Sequence, residues 1–293
     1  MIDIFFYFLL AILPPLGIVY YIYSQDLYEK EPRKLLIISF LLGCLTTIFA
    51  YVIESEITLK IFTNTFLVAF LGVALVEEGL KFIVLKTYSF NKPDFNEPYD
   101  GIVYSVCVSL GFATIENISY VFGEEGSEFS TAIIRIFSAI PLHASCGVLM
   151  GYYVGLSKFN KIKRNEYIFK GIVYSIVIHG LYDYFLLDGK NIVFSFLCLL
   201  IAVYYSKKAI KEHQKNSPFN KTINADLASS NKSKKELPVI LKISEDDSLI
   251  ALIKKYKFAN SHNKTLLLID LEKLKNKEVK FYDVLQLIYN NKI

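Results

Sequence analysis

Before Tyr205 the chain is a succession of seven apolar runs, at about residues 4–23, 35–53, 66–86, 102–122, 132–156, 168–187 and 191–206. Few architectures accept such a pattern. A hydrocarbon core about 30 Å thick needs about 20 apolar helical residues to cross it. Only helices and closed barrels can satisfy their own backbone there. Runs of this length predict an all-α polytopic membrane protein with about seven transmembrane helices. The seventh run is the shortest, with an apolar part of only about 14 residues, Ile192 to Tyr205. The first has no basic leader and no small-residue cleavage site, so a retained helix is expected rather than a signal peptide. A hydrophobic content of 53% is only mildly above that of soluble chains. The excess lies almost wholly before Tyr205, and that uneven placement carries the argument.

The loops suggest an orientation. Lys158, Lys161, Lys163, Arg164 and Lys170 crowd one loop, and Lys207, Lys208, Lys211 and Lys215 follow the last run. The segment 123–129 holds Glu124, Glu125 and Glu128 and no base. The positive-inside rule then expects the N-terminus outside and the C-terminal tail in the cytoplasm. A Lys/Asn/Ile-rich bias without a transit peptide suggests a bacterial cytoplasmic membrane. Three units are expected: a transmembrane domain over 1–206, a polar linker over 207–237, and a small α+β cytosolic module over 238–293. In that module "LPVILKI" and "KTLLLIDL" read as strands. His213 and His262 read as surface residues. Cys44, Cys107, Cys146 and Cys198 each sit alone in a different apolar run and read as small core residues. No nucleic-acid partner is expected, and the sequence leaves the oligomeric state open.

Ionisable residues inside the runs are the functional signal. Each costs roughly 2.5–3.5 kcal/mol at the centre of an inserted helix, so such residues face one another or a wet cavity. The third run carries Glu77, Glu78 and Lys81; the spacings i,i+4 and i,i+3 let both carboxylates reach one ammonium. That pairing is expected to hold one Glu and leave the other free for proton transfer. A structural ion pair is the plain alternative. The fourth run has Phe112 one turn before Glu116 and Asn117, which can equally be interhelical hydrogen-bonding glue. Asp100 opens that helix as an ordinary N-terminal carboxylate. In the fifth run His143 follows Pro141, expected to bend the helix toward a cavity; Arg135 is expected to snorkel near the outer end. In the sixth run His179 and Asp183 are i,i+4, so the Asp can fix the ring's tautomer or both can ligate a metal. Carboxylates and imidazoles in a hydrated membrane cavity fit hydrolysis, with Glu as the base for water and His assisting. They also fit zinc.

At these residues the sequence resembles the PrsW family of intramembrane proteases. The resemblance rests on "VEEGLKF", "DGIVYSVCVSLGFATIENISY", "PLHASCG" and "HGLYDYF" on successive helices, and "YSQDLYEKEPRKLLIISFLLG" is similar to the family's first loop. It covers about residues 15–206. It implies membrane helices around a buried site and cleavage in or beside the transmembrane segment of a membrane-anchored protein, of the anti-sigma-factor type. The family is distantly similar to the CAAX-prenyl endopeptidases and bacteriocin-processing membrane proteases. On the matching positions Glu77, Glu78, His143 and His179 become catalytic, with Lys81, Phe112, Glu116, Asn117 and Asp183 supporting. No cofactor is expected, because Lys81 engages one carboxylate and no HExxH pair exists. If a metal is used, His143 and His179 with Glu77 or Glu116 would hold it. Two rival readings remain: a proton-coupled transporter or channel, and a signalling receptor with the tail as output.

Overall fold

The computed structural model of the chain describes residues 2–123, 128–189 and 191–220. Every regular element among them is helical. The long helices are α1 (Ile2–Ser24), α2 (Arg33–Ile53), α3 (Leu75–Val84), α4 (Pro98–Val121), α5 (Glu128–Phe137), α6 (Ala139–Phe159), α7 (Arg164–Asp188) and α8 (Ile192–Lys215). π-helical turns continue α2 over Glu54–Thr58 and flank α3 at Val68–Ala74 and Leu85–Ser89. The chain divides into two compact units, 1–158 with 163–217, and 159–162 with 218–293. The first holds the helices named here, up to Lys158 in α6. The expected α+β module and most of the linker lie outside the described residues, as does His262.

Among the described residues five helical stretches are long and apolar enough to cross a membrane: Ile4–Ser24, Arg33–Thr58, Pro98–Val121, Phe129–Phe159 and Ile192–Lys215. The apolar runs at 66–86 and 168–187 are helical too, but they do not meet that measure. The reason is their content. The first carries Glu77, Glu78, Lys81 and Lys86 between π-helical turns, and α7 carries Arg164, Glu166, Lys170, Asp183 and Asp188. The last helix is longer than its 191–206 run, because it continues through 207–215, residues expected to belong to the linker. Its 24 residues reach roughly 36 Å, enough to cross.

The outer helices turn Phe, Leu, Ile and Tyr side chains outward, among them Phe5, Phe8, Leu41, Phe49, Phe194, Leu197 and Leu200. Apolar surface on this scale requires lipid. Helix α4 is the reverse: it is enclosed on all sides from Pro98 to Thr114. Glycines let its neighbours approach. A Cβ at Gly111 would overlap the Phe40 carbonyl oxygen of α2, and one at Gly43 would overlap that of Val108. Gly101, Gly151 and Gly155 do the same between α4 and α6. Cys44 Sγ donates to the Gly111 carbonyl at 3.2 Å and Thr47 Oγ1 to the Phe112 carbonyl at 3.1 Å, joining α2 to α4. Gly111→Val is therefore expected to part α2 from α4 and cost about 3 kcal/mol or more, the upper end for overpacking. Thermal unfolding in detergent checks this; an unchanged midpoint would show that the crossing tolerates a side chain.

Two sequence expectations give way to packing. Pro141 does not bend a helix from within. The chain breaks at Ser138, and Pro141 is the third residue of α6, where its missing N–H costs no helical bond. His213 is buried rather than on the surface. Its ring stacks on Tyr152 at 4.3 Å, and Nε2 donates to the Tyr152 carbonyl at 3.1 Å. The loop before α2 and the start of α4 form a buried acidic corner. Burial pushes Asp26 up to about 6, Glu31 up to about 7 and Glu97 up to about 8.

Candidate active site

Three helices deliver the polar residues to one point. Glu77, Glu78 and Lys81 lie on α3 within a turn of one another, just after the π-helical turn Val68–Ala74, whose Phe70 carbonyl accepts from Leu75 five residues on. Such turns recur at functional sites because the extra residue re-aims the side chains beyond it. His143 comes from the start of α6 and His179 from α7. All five residues are sealed, at 0–3% exposure. Gly180 lets α7 lie against the Phe70 ring.

Lys81 Nζ is the hub. It donates to Glu77 Oε2 at 3.0 Å and to Glu78 Oε1 at 2.8 Å, and lies 3.0 Å from His143 Nδ1. It also sits over the Phe112 ring, 4.1 Å from the centroid. An ammonium only donates, so His143 Nδ1 accepts and the proton sits on Nε2. That Nε2–H donates to Glu116 Oε2 at 2.7 Å. His179 presents Nδ1 to Glu78 Oε1 at 2.9 Å and Nε2 to Asp183 Oδ2 at 3.3 Å. The two imidazoles meet edge to face, 5.2 Å between centroids.

The two glutamates differ. Both share the ammonium, so the expectation that Lys81 would hold one and leave the other is not what the helix does. Glu78 is held a second time, by His179. Among the described residues Glu77 Oε2 has only Lys81 within hydrogen-bonding distance; His143 Nδ1 lies at 4.0 Å and His179 Nε2 at 3.9 Å. Glu77 thus faces both imidazoles without being tied to either.

Glu116 stands behind His143, on the far ring nitrogen, and is outside the group of donors that converge. Arg135 joins it there instead of snorkelling: Nη2 lies 2.9 Å from Glu116 Oε2, without hydrogen-bond alignment, and Nε donates to Asn117 Oδ1 at 2.6 Å. Asn117 in turn donates to the Ala11 carbonyl at 3.4 Å, so it is both glue to α1 and a brace for Arg135. Glu54, at the end of α2, also lies within electrostatic reach of Glu77, Glu116, His179 and Lys81. Nothing in its spacing marked it, since an acid at the end of an apolar run reads as interfacial.

Glu77, Glu78, His143 and His179 each offer a donor atom, all within 4.8 Å of one another. Two imidazoles and carboxylate oxygens are the zinc-type donor set. Against a metal stands the Lys81 ammonium, which already lies among three of these donors; two further observations fit one. Glu78 Oε2 is buried with no partner among the described residues. Each imidazole is also backed by a carboxylate, Glu116 for His143 and Glu78 or Asp183 for His179, as metal-binding histidines are.

The segment that carries these residues matches known proteins. The family profile described as "PrsW family intramembrane metalloprotease" matches residues 31–206. The protein named Protease PrsW of Clostridioides difficile (strain 630) is 36% identical over 204 residues, covering 67% of this chain and 84% of its own length. Protease PrsW of Geobacillus kaustophilus (strain HTA426) is 36% identical over 200 residues, covering 67% and 86%. That of Bacillus subtilis (strain 168) is 34% identical over 200 residues, covering 67% and 89%. No solved structure matches the chain. The family description names a metalloprotease, at odds with the expected absence of a cofactor. These are matches to proteases, so the transporter and receptor readings fall away. With a profile spanning more than half the chain, and relatives matched over most of their length, the chain belongs to the PrsW family of intramembrane proteases.

Proposed function

We propose that the protein hydrolyses a peptide bond in or beside the transmembrane segment of a membrane-anchored, anti-sigma-factor-like substrate, with Glu77 taking the proton of the attacking water. The observation that carries this reading is the unequal tethering of the two glutamates in one sealed pocket. Glu78 is fixed by Lys81 and His179. Glu77 faces both imidazoles with a single tether. A base must be positioned yet able to accept a proton, and Glu77 meets both needs.

The remaining residues take supporting parts. Lys81 offsets the charge of both carboxylates in a buried site. Its cation–π contact and hydrogen bonds hold it over Phe112. Glu116 fixes the tautomer of His143, and Arg135 with Asn117 fixes Glu116. In the metal-free arrangement His179 carries a proton between Glu78 and Asp183, where it can be donated to the oxygen of the tetrahedral intermediate or to the leaving amine. Glu78, His143 and His179 would hold a zinc-type ion, which would supply Lewis-acid polarisation of the water and the scissile carbonyl. Seven membrane crossings with the tail in the cytoplasm, and a separate module over 238–293, complete the proposed organisation.

A metal-free glutamic mechanism has one observation in its favour: the ammonium of Lys81 occupies the centre of the donor set. Chelation separates the two. Purified protein and membrane-anchored candidate substrates, chosen by comparing membrane proteomes with and without the protein, supply the assay. 1,10-Phenanthroline is expected to abolish cleavage, and zinc to restore it. Cleavage that persists in protein shown to be free of metal leaves Lys81 as the site's cation and supports the metal-free mechanism. If no membrane-anchored protein is cleaved in either state, the substrate class is wrong.

A further inference from the structure

Of the three acids in the loop between α1 and α2, Asp26, Glu29 and Glu31, the first and last converge with Asp100 in the first turn of α4. Asp26, Glu31 and Asp100 are sealed, at 1%, 2% and 0% exposure. An oxygen of each lies within 4.8 Å of an oxygen of the others. Each carboxylate is half satisfied. Asp100 Oδ2 accepts from the backbone N–H groups of Asn96 at 2.6 Å and Glu97 at 2.7 Å. Glu31 Oε2 accepts from the Tyr104 hydroxyl. Asp26 lies against the N–H groups of Tyr28 and Glu29. The second oxygens, Asp26 Oδ2, Glu31 Oε1 and Asp100 Oδ1, are buried and receive no donor among the described residues, and the Glu31 and Asp100 carboxyl groups lie within hydrogen-bonding reach of each other, so a shared proton or a cation must stand between them. Glu97 Oε2, 1% exposed and next to the same corner, is in the same condition.

Orphaned oxygens in a sealed acidic cluster demand a counter-charge, since an unpaired buried charge is among the costliest features a fold can carry. The nearby ammonium groups reach the cluster electrostatically, Lys30 acting on Asp26 and Lys158 on Asp100 and Glu31, while Lys30 Nζ donates to the carbonyls of Tyr23 at 2.6 Å and Ser24 at 3.2 Å and Lys158 Nζ to those of Phe90 at 2.6 Å and Lys92 at 3.1 Å.

We propose that Asp26, Glu31 and Asp100 form a second cation site, for a hard divalent ion of the Mg2+ or Ca2+ class, that fastens the 25–32 loop to the start of α4. An all-oxygen, carboxylate-rich set selects this class over zinc. Opposed ligands lie roughly 4.6–5.2 Å apart across Ca2+ and roughly 4.0–4.2 Å across Mg2+. A cluster bounded by 4.8 Å accommodates either with small movements. The site is distinct from the candidate active site: Asp100 and Glu116 are 16 residues apart on α4, roughly 24 Å. Its role is structural. It sets the register of the helix whose far end holds Glu116 and Asn117.

The test uses the full chain, purified in detergent and stripped by a chelator. Mg2+ and Ca2+ are added separately and thermal unfolding is followed. Terbium binding is read by tyrosine-sensitised emission, because the chain has no Trp and Tyr104 touches Glu31. Saturable stabilisation by about 5 °C or more is expected from one of the two ions. Terbium emission is expected at one ion per chain, displaced by that ion. Both signals should vanish in Asp26→Asn and Glu31→Gln and persist in Glu78→Gln. The proposal is overturned if neither ion stabilises the wild-type protein, however the variants behave. It is overturned too if the response survives both loop substitutions, or if it is lost in Glu78→Gln alone, which would place the ion at the candidate active site. Stabilisation by acid but by neither ion would show that shared protons fill the gap instead.

Discussion

Glu77→Gln is expected to lower the rate of substrate cleavage by about 10³-fold while the protein inserts and unfolds as the wild type does. The amide has the shape of the carboxylate, and its oxygen can still accept from Lys81, which sits 3.0 Å away. The proton acceptor is what is lost. A positioned general base contributes about 10²–10⁴ in rate, and 10³ corresponds to roughly 4 kcal/mol of barrier. Glu78→Gln should behave differently. Its carboxylate is bonded to both Lys81 and His179. An amide in its place either turns its NH2 group to one of these partners or leaves His179 without its acceptor. Activity should fall here as well, with a drop in thermal stability beside it. The contrast is what tests the assignment: activity loss without stability loss at Glu77, and both together at Glu78. Cleavage at wild-type rate in Glu77→Gln removes it from the role of base. Equal effects on stability at both positions would mean that their unequal tethering is irrelevant. The readouts are gel-based cleavage of a membrane-anchored substrate and thermal unfolding of the same preparations.

Much of this site could be read along the chain. Spacing alone joined Glu77 and Glu78 to Lys81, because i,i+3 and i,i+4 neighbours share a helix face. The cost of burying charge in lipid singled out Glu116, His143, His179 and Asp183 one at a time. Local spacing cannot say which nitrogen of a histidine faces which carboxylate, and here that detail is what separates Glu77 from Glu78. Arg135 was misjudged for a related reason. A long basic side chain near the end of an apolar run snorkels unless an acid waits inside, and that acid, Glu116, is on a different helix. His213 shows the same blindness, since its segment is polar by composition and only the packing of α8 on Tyr152 encloses it. Membrane crossings were legible where apolarity is the whole signal. They became ambiguous at 66–86 and 168–187, because those segments trade apolar residues for the groups that build the site. Asp26 and Glu31 lie in the stretch that resembles the family's first loop, but nothing in their spacing joins them to Asp100, which only the fold brings against them.

Lys81→Met should be the most damaging single change to stability. Removing one member of a buried ion pair costs about 3–5 kcal/mol, because the remaining charge keeps its desolvation penalty and loses its partner. Here one ammonium serves two carboxylates, with side-chain exposures of 5% for Glu77 and 0% for Glu78. It also donates to His143 Nδ1 and rests on Phe112, so methionine loses those contacts too. Met fills most of the same volume, which removes a cavity as the explanation. The decisive comparison is the triple variant Glu77→Gln, Glu78→Gln, Lys81→Met. It has no charge left at this point of α3, and most of the lost stability should return, because replacing all members of a buried ionic cluster is often neutral. Thermal unfolding of the wild type, the single variant and the triple variant in one detergent gives the answer. A Lys81→Met protein as stable as the wild type would mean that another cation already balances the two glutamates. Added zinc should then raise the midpoint of that variant and leave the triple variant unmoved. A single variant that is stable yet indifferent to zinc would mean that solvent screens the two carboxylates once the ammonium is gone, and the ion cluster would not be what holds this part of α3 together.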